Sequence, residues 1–213
     1  MTQKQRMRMI GWTVVLGVLV TLPAIVLAFG RSRATRAAEA RVERGRYLVS
    51  VIGCNDCHTP LKMGPHGPEP DTSRFLSGHP EAVTVTPPAA PHGSWLWSAA
   101  ATNTAFAGPW GVSYTANLTP DQNTGLGIWT EDMFVRAIRT GRHMGASREI
   151  APPMPWPAFR NATDDDLKSI FAYLRTIRPI ANHVPDYRPP TSAPSVSAVS
   201  AVDTHGGNDD DSY

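Results

Sequence analysis

The sequence predicts a mainly α fold with an N-terminal transmembrane helix and a long irregular insertion. Three observations predict it. Residues Ile10–Phe29, "IGWTVVLGVLVTLPAIVLAF", form a run of twenty with no charged side chain. In "TDDDLKSIFAYLRTIRP", Leu167, Ile170, Phe171 and Leu174 follow the i, i+3, i+4, i+7 spacing of an amphipathic helix. Between Lys62 and Pro120, glycine and proline crowd into "GPHGPEP", "TPPAAPHG" and "AGPWG", which read as loops and turns.

Residues 1–9 form a short arm that carries Lys4, Arg6 and Arg8. At about 1.5 Å per residue the following apolar run reaches roughly 30 Å, the thickness of a bilayer core. A cleavable signal has a shorter apolar region of about 7–15 residues. No small-x-small cleavage site follows the run, so residues 10–30 are expected to remain as an anchor. A removed signal and a buried core helix are the competing readings. Arg31, Arg33 and Arg36 balance the three cations of the arm. The charge asymmetry that orients membrane helices therefore gives no direction.

Residues 31–187 are expected to form one domain, with residues 62–120 as its insertion. Its first helix runs from about Ala37 to Ile52, with Val42, Tyr47, Val49 and Ile52 on an apolar face and Gly53 as its stop. The insertion also holds Trp95, Trp97 and Trp110, so it is expected to pack. Thr130 caps "EDMFVRAIRT", which stops at Gly141. Thr163 caps the last helix, Asp164–Asp166 sit at the positive end of its dipole, and Pro179 blocks continuation. Residues 188–213 are low in complexity and acidic at the end, the composition of a disordered tail.

The formal charge of +2 becomes −1 without the three cations of the arm. No basic stripe suited to nucleic acid is present.

The chain has two cysteines, and both lie in "GCNDCHTP". Cys54, Cys57 and His58 form C-x-x-C-H, a c-type heme attachment signature. Two thiols three residues apart can add to the two vinyl groups of one porphyrin. The adjacent imidazole then lies under the ring, where it can bind iron. A thioredoxin-like dithiol would open a helix after a strand, and no strand pattern precedes this motif. Zinc would need two further good ligands, and a disulfide across two residues is strained. One covalent heme c is expected. Covalent attachment in bacteria takes place outside the cytoplasmic membrane. The arm is then expected in the cytoplasm and the heme domain on the periplasmic or outer side of the bacterial cytoplasmic membrane, in a single-pass protein.

An electron carrier needs a sixth iron ligand. Met154, in "APPMPWP", lies in a proline-stiffened loop nine residues before the last helix cap. Met144, in "GRHMGA", and a histidine such as His143 remain the alternatives. Met133 is expected in the core. His66, His79, His92, His143, His183 and His205 read as surface or loop residues. Asn117, Trp129 and Arg139 are candidate donors to heme propionates.

The order of helix, C-x-x-C-H, irregular middle, methionine loop and amphipathic last helix resembles class I c-type cytochromes, from about Ala37 to Pro179. "NLTPDQNTGLGIWTEDMFVRAIRTGRHMG" and "PPMPWPAF" resemble a subgroup of bacterial membrane-bound or dehydrogenase-associated cytochromes. The resemblance implies that the first and last helices cross through Gly45 and Tyr47 on one side and Phe171 and Tyr173 on the other. It implies His58 and Met154 as axial ligands. It also implies a one-electron carrier rather than an enzyme, joining a membrane or periplasmic donor to an oxidase or similar acceptor. The alternative is the heme c subunit of a larger dehydrogenase or respiratory complex, with the insertion as interface. A catalytic or gas-sensing heme would need an open iron site, which the Met154 loop speaks against. Expected partners are redox proteins of a respiratory complex and the membrane, and not nucleic acid.

Overall fold

The computed structural model describes residues 31, 33–86 and 95–190. The expected anchor Ile10–Phe29, His92, His205 and residues 191–213 lie outside them. Helix α1 covers 33–51 and ends where Gly53 turns into the left-handed region at φ 76°. The motif follows at once as a one-turn helix of its own, α2 (Cys54–His58). Helix α3 is Glu131–Thr140, α4 is Trp156–Phe159 and α5 is Asp164–Leu174. The two expected caps are formed. Thr130 accepts from the amide of Met133, and Thr163 accepts from that of Asp166.

The mainly α fold with an irregular insertion and an N-terminal transmembrane helix is corrected on two points. First, the insertion is not irregular throughout its described residues. It forms two small antiparallel sheets, β1 (Leu61–Gly64) with β2 (Gly67–Pro70), and β4 (Ala105–Gly108) between β3 (Ser98–Ala99) and β5 (Gly111–Tyr114). Pro68 and Pro70 fit because β2 is an edge strand, where no ladder hydrogen bond is needed from them. Strands of four residues are too short for a period of two to show through so much glycine and proline. Second, no helix among the described residues is long and apolar enough to cross a membrane.

The core collects Leu48 and Val49 of α1, Phe134 and Ile138 of α3, and Leu167, Ile170, Phe171 and Leu174 of α5, closed by Leu76 and Leu126 from loops. The buried face of α1 is Gly45, Leu48 and Val49, so Tyr47 turns outward. Gly45 allows α1 and α5 to cross closely. A methyl group there would fall 2.8 Å from Tyr173 Cβ and still closer to the Ser169 carbonyl. The crossing thus uses Gly45 and Tyr173, with Phe171 tilted against Phe134 instead.

Candidate functional site

The one-turn helix α2 leaves both cysteines as half-buried free thiols and buries His58. The His58 ring lies 2.7 Å, from Nδ1, to the carbonyl oxygen of Ala116. A carbonyl only accepts, so Nδ1 carries the proton and the lone pair is on Nε2. Burial lowers the imidazole pKa, which keeps it in the neutral, ligating form. The backbone of His58 is held as well, because its carbonyl accepts from the amide of Gly78 at 2.8 Å. Gly78 has φ +75°, and a methyl group there would lie 2.6 Å from the Ala116 oxygen that the imidazole uses. The next residue, Thr59, accepts from the amide of Leu76 at 3.0 Å.

Burial pushes the Cys54 thiol up to about 12 and raises that of Cys57. Reactive redox dithiols need the opposite, an electropositive setting that favours thiolate. The setting therefore disfavours a thioredoxin-like role. Among the described residues no three His, Cys, Asp or Glu side chains cluster to hold a metal.

Cys54 and Met154 both pack against the same hydrophobic core. The loop carrying Met154 runs from Ala151 to Pro155 and is tied at both ends. Ser113 Oγ donates to the Pro152 carbonyl at 2.5 Å, and the Trp156 ring covers Gly141 at the end of α3. Met144 sits in a one-turn 3₁₀ helix, His143–Gly145, in a left-handed conformation, and it is not among the side chains packed on the core. His143 stacks edge-on against Trp129 with centroids 5.0 Å apart.

Two expected propionate donors are committed elsewhere. Asn117 is buried, donates to Thr124 Oγ1 and the Ile180 carbonyl, and accepts from the amide and hydroxyl of Thr119. Arg139 pairs with Asp164 at 2.5 Å and donates to the Arg160 carbonyl. His79 differs from a loop histidine too. It is fully buried, with Nε2 2.9 Å from the Val83 carbonyl and Nδ1 2.9 Å from Thr104 Oγ1. Sequence inspection also missed Asn182. Its only signal is a polar residue in "PIANHVP", two residues before a valine and proline.

A covalent heme c fits this donor set. Two unpaired thiols stand three residues apart on one turn, and a neutral imidazole beside them is fixed in the tautomer that presents Nε2.

No known family profile matches the chain. It is 29% identical over 172 residues to the cytochrome c subunit of a quinone alcohol dehydrogenase from Gluconobacter oxydans, covering 79% of this chain and 28% of that one. It is 30% identical to the fructose dehydrogenase cytochrome subunit of Gluconobacter japonicus, over 65% of this chain and 22% of that one. It is 37% identical to a nicotinate dehydrogenase subunit of Pseudomonas putida, over 68% of this chain and 9% of that one. The chain thus spans less than a third of the length of each of these relatives. Cytochrome subunits of dehydrogenases recur among the relatives, and together with the attachment motif they support a c-type cytochrome, an electron-transfer protein rather than a catalytic subunit.

Proposed function

We propose that the chain is the electron-transfer heme c component of a dehydrogenase complex. Cys54 and Cys57 would bind one heme through thioethers, and His58 and Met154 would ligate its iron. The observation that carries this is the attachment turn itself, where a buried neutral His58 donates its Nδ1 proton to the Ala116 carbonyl and keeps Nε2 for iron. When bound, the heme supplies a one-electron couple. The chain's residues hold it by two covalent links, keep the ligating ring from rotating, and offer a thioether that favours the reduced state.

The relatives favour a dehydrogenase partner over a free carrier that shuttles to an oxidase. The insertion provides the contact. Trp95 is 76% exposed, Leu96 65% and Trp97 39%, an unusual display of large apolar side chains for a free surface. Aromatic residues of this kind concentrate at protein interfaces. Because covalent heme attachment takes place outside the bacterial cytoplasmic membrane, the working domain lies on that side.

Purification of the tagged protein in mild detergent tests this. A dehydrogenase should accompany it, and that enzyme's substrate should reduce the heme within the complex. Recovery of the chain alone, with heme that no co-purifying enzyme reduces, would return the free-carrier reading to first place.

A further inference from the structure

We propose that Asn182 is a positioning residue for His58, and that the strap after α5, residues 175–190, tunes the heme iron by locking both anchors of that histidine; this rests on His58 being the ligand.

His58 is held at two points, its ring by the Ala116 carbonyl and its own carbonyl by the Gly78 amide. Neither anchor lies within a helix or strand. Both are fixed by the strap. On the Ala116 side, the neighbouring Asn117 donates to the Ile180 carbonyl at 2.8 Å, and the Ile180 amide donates to Thr119 Oγ1 at 3.0 Å. On the Gly78 side, Asn182 Nδ2 donates to the carbonyls of both flanking residues, Ser77 and His79, at 2.8 Å each.

Asn182 also joins the two sides. Its backbone amide donates to Thr124 Oγ1 at 3.0 Å, the same hydroxyl that receives Asn117 Nδ2 at 3.1 Å. Its Oδ1 accepts from Arg74 Nη2 at 2.8 Å and from the Glu81 amide at 3.0 Å. All hydrogen-bonding capacity of the side-chain amide is used, and the residue is fully buried. No other side chain of that length offers two donors and an acceptor, since aspartate lacks the donors and leucine lacks both. The far end of the strap is pinned to β5, where Arg188 and Val112 exchange both backbone hydrogen bonds at 2.8 and 3.0 Å.

The electronic sense follows from the Nδ1–H to carbonyl bond. A strong bond makes the imidazole more basic and favours ferric iron. Freeing the Ser77–His79 segment, whose Gly78 holds the His58 carbonyl and packs against Ala116, weakens the ring's bond to the Ala116 carbonyl and raises the reduction potential.

The experiment uses the full heme-loaded chain with Asn182→Ala. At a fixed ambient potential the ferrous-to-ferric ratio should rise by about threefold or more. The paramagnetically shifted ring protons of His58 should move, and the Gly78 amide should exchange faster. Thr163→Ala, which removes a distant helix cap, serves as the stability control and should change none of these. If Asn182→Ala fails to accumulate, Thr124→Val is read in the same way, because it removes the hydroxyl that receives Asn182 and Asn117. A loss of stability with unmoved potential and His58 resonances would overturn the proposal and leave Asn182 a structural residue. Absence of covalent heme from the unsubstituted chain would overturn the ligand reading instead, so the two failures are distinguishable.

Discussion

A buried imidazole that faces a backbone carbonyl has one tautomer available, and His58 is in that position. Its proposed counterpart, Met154, is held in a loop whose ends are tied to β5 and α3. Met154→Ala should abolish the weak long-wavelength absorption of a thioether on ferric low-spin iron, lower the potential and open the iron to carbon monoxide, with the heme still attached. Met144→Ala should leave the spectrum unchanged. The reverse pattern would move the ligand to Met144. His79 makes a different prediction. Burial, the leading cause, lowers its pKa below the ordinary 6.5, and Arg188 adds to the shift. The folded state therefore binds this proton less readily than the unfolded state. Its contribution to stability is complete above about pH 6.5 and declines as the pH falls below that value. Denaturant titrations from pH 7.5 down to about pH 5 should show this decline. His79→Gln should flatten it, and an unchanged slope would mean that other groups set the acid sensitivity.

At the scale of elements, α1 and α5 approach each other closely at Gly45. Gly45→Ala should cost about 1–3 kcal/mol in chemical denaturation, because the added methyl meets the Ser169 carbonyl and Tyr173. Thr163→Ala should cost about 1 kcal/mol through the lost cap. Equal and negligible losses in both would show that the crossing is looser than its geometry indicates. These helices were legible in the sequence for local reasons. Thr130, Gly141 and Thr163 mark ends through their own side chains or backbone, and Leu167, Ile170, Phe171 and Leu174 announce a buried face. The sheets were not legible. Whether "GPEP" is a loop or an edge strand depends on Leu61–Gly64 folding back against it, which is a tertiary fact. The same limit hid part of the site. C-x-x-C-H names Cys54, Cys57 and His58 because its chemistry is local in sequence. Ala116, Gly78 and Asn182 act on His58 through backbone atoms or across more than a hundred residues, so their side-chain identities carry almost no signal.

For the whole molecule, the insertion is the proposed contact between the heme domain and its partner. Trp95→Ser should leave the heme spectrum and potential unchanged, because the side chain is mostly exposed. It should slow heme reduction within the complex by about tenfold, the scale of a buried interface tryptophan. An unaltered rate would place the contact elsewhere on the domain. The spectral, potential and reduction-rate outcomes all presuppose a heme joined covalently at Cys54 and Cys57. Intact mass spectrometry of the acid-denatured holoprotein tests that most directly. The predicted result is a chain heavier by one heme than its polypeptide, with Cys54→Ser/Cys57→Ser returning to the polypeptide mass. A chain at polypeptide mass, with all heme released into acidic acetone, would contradict it.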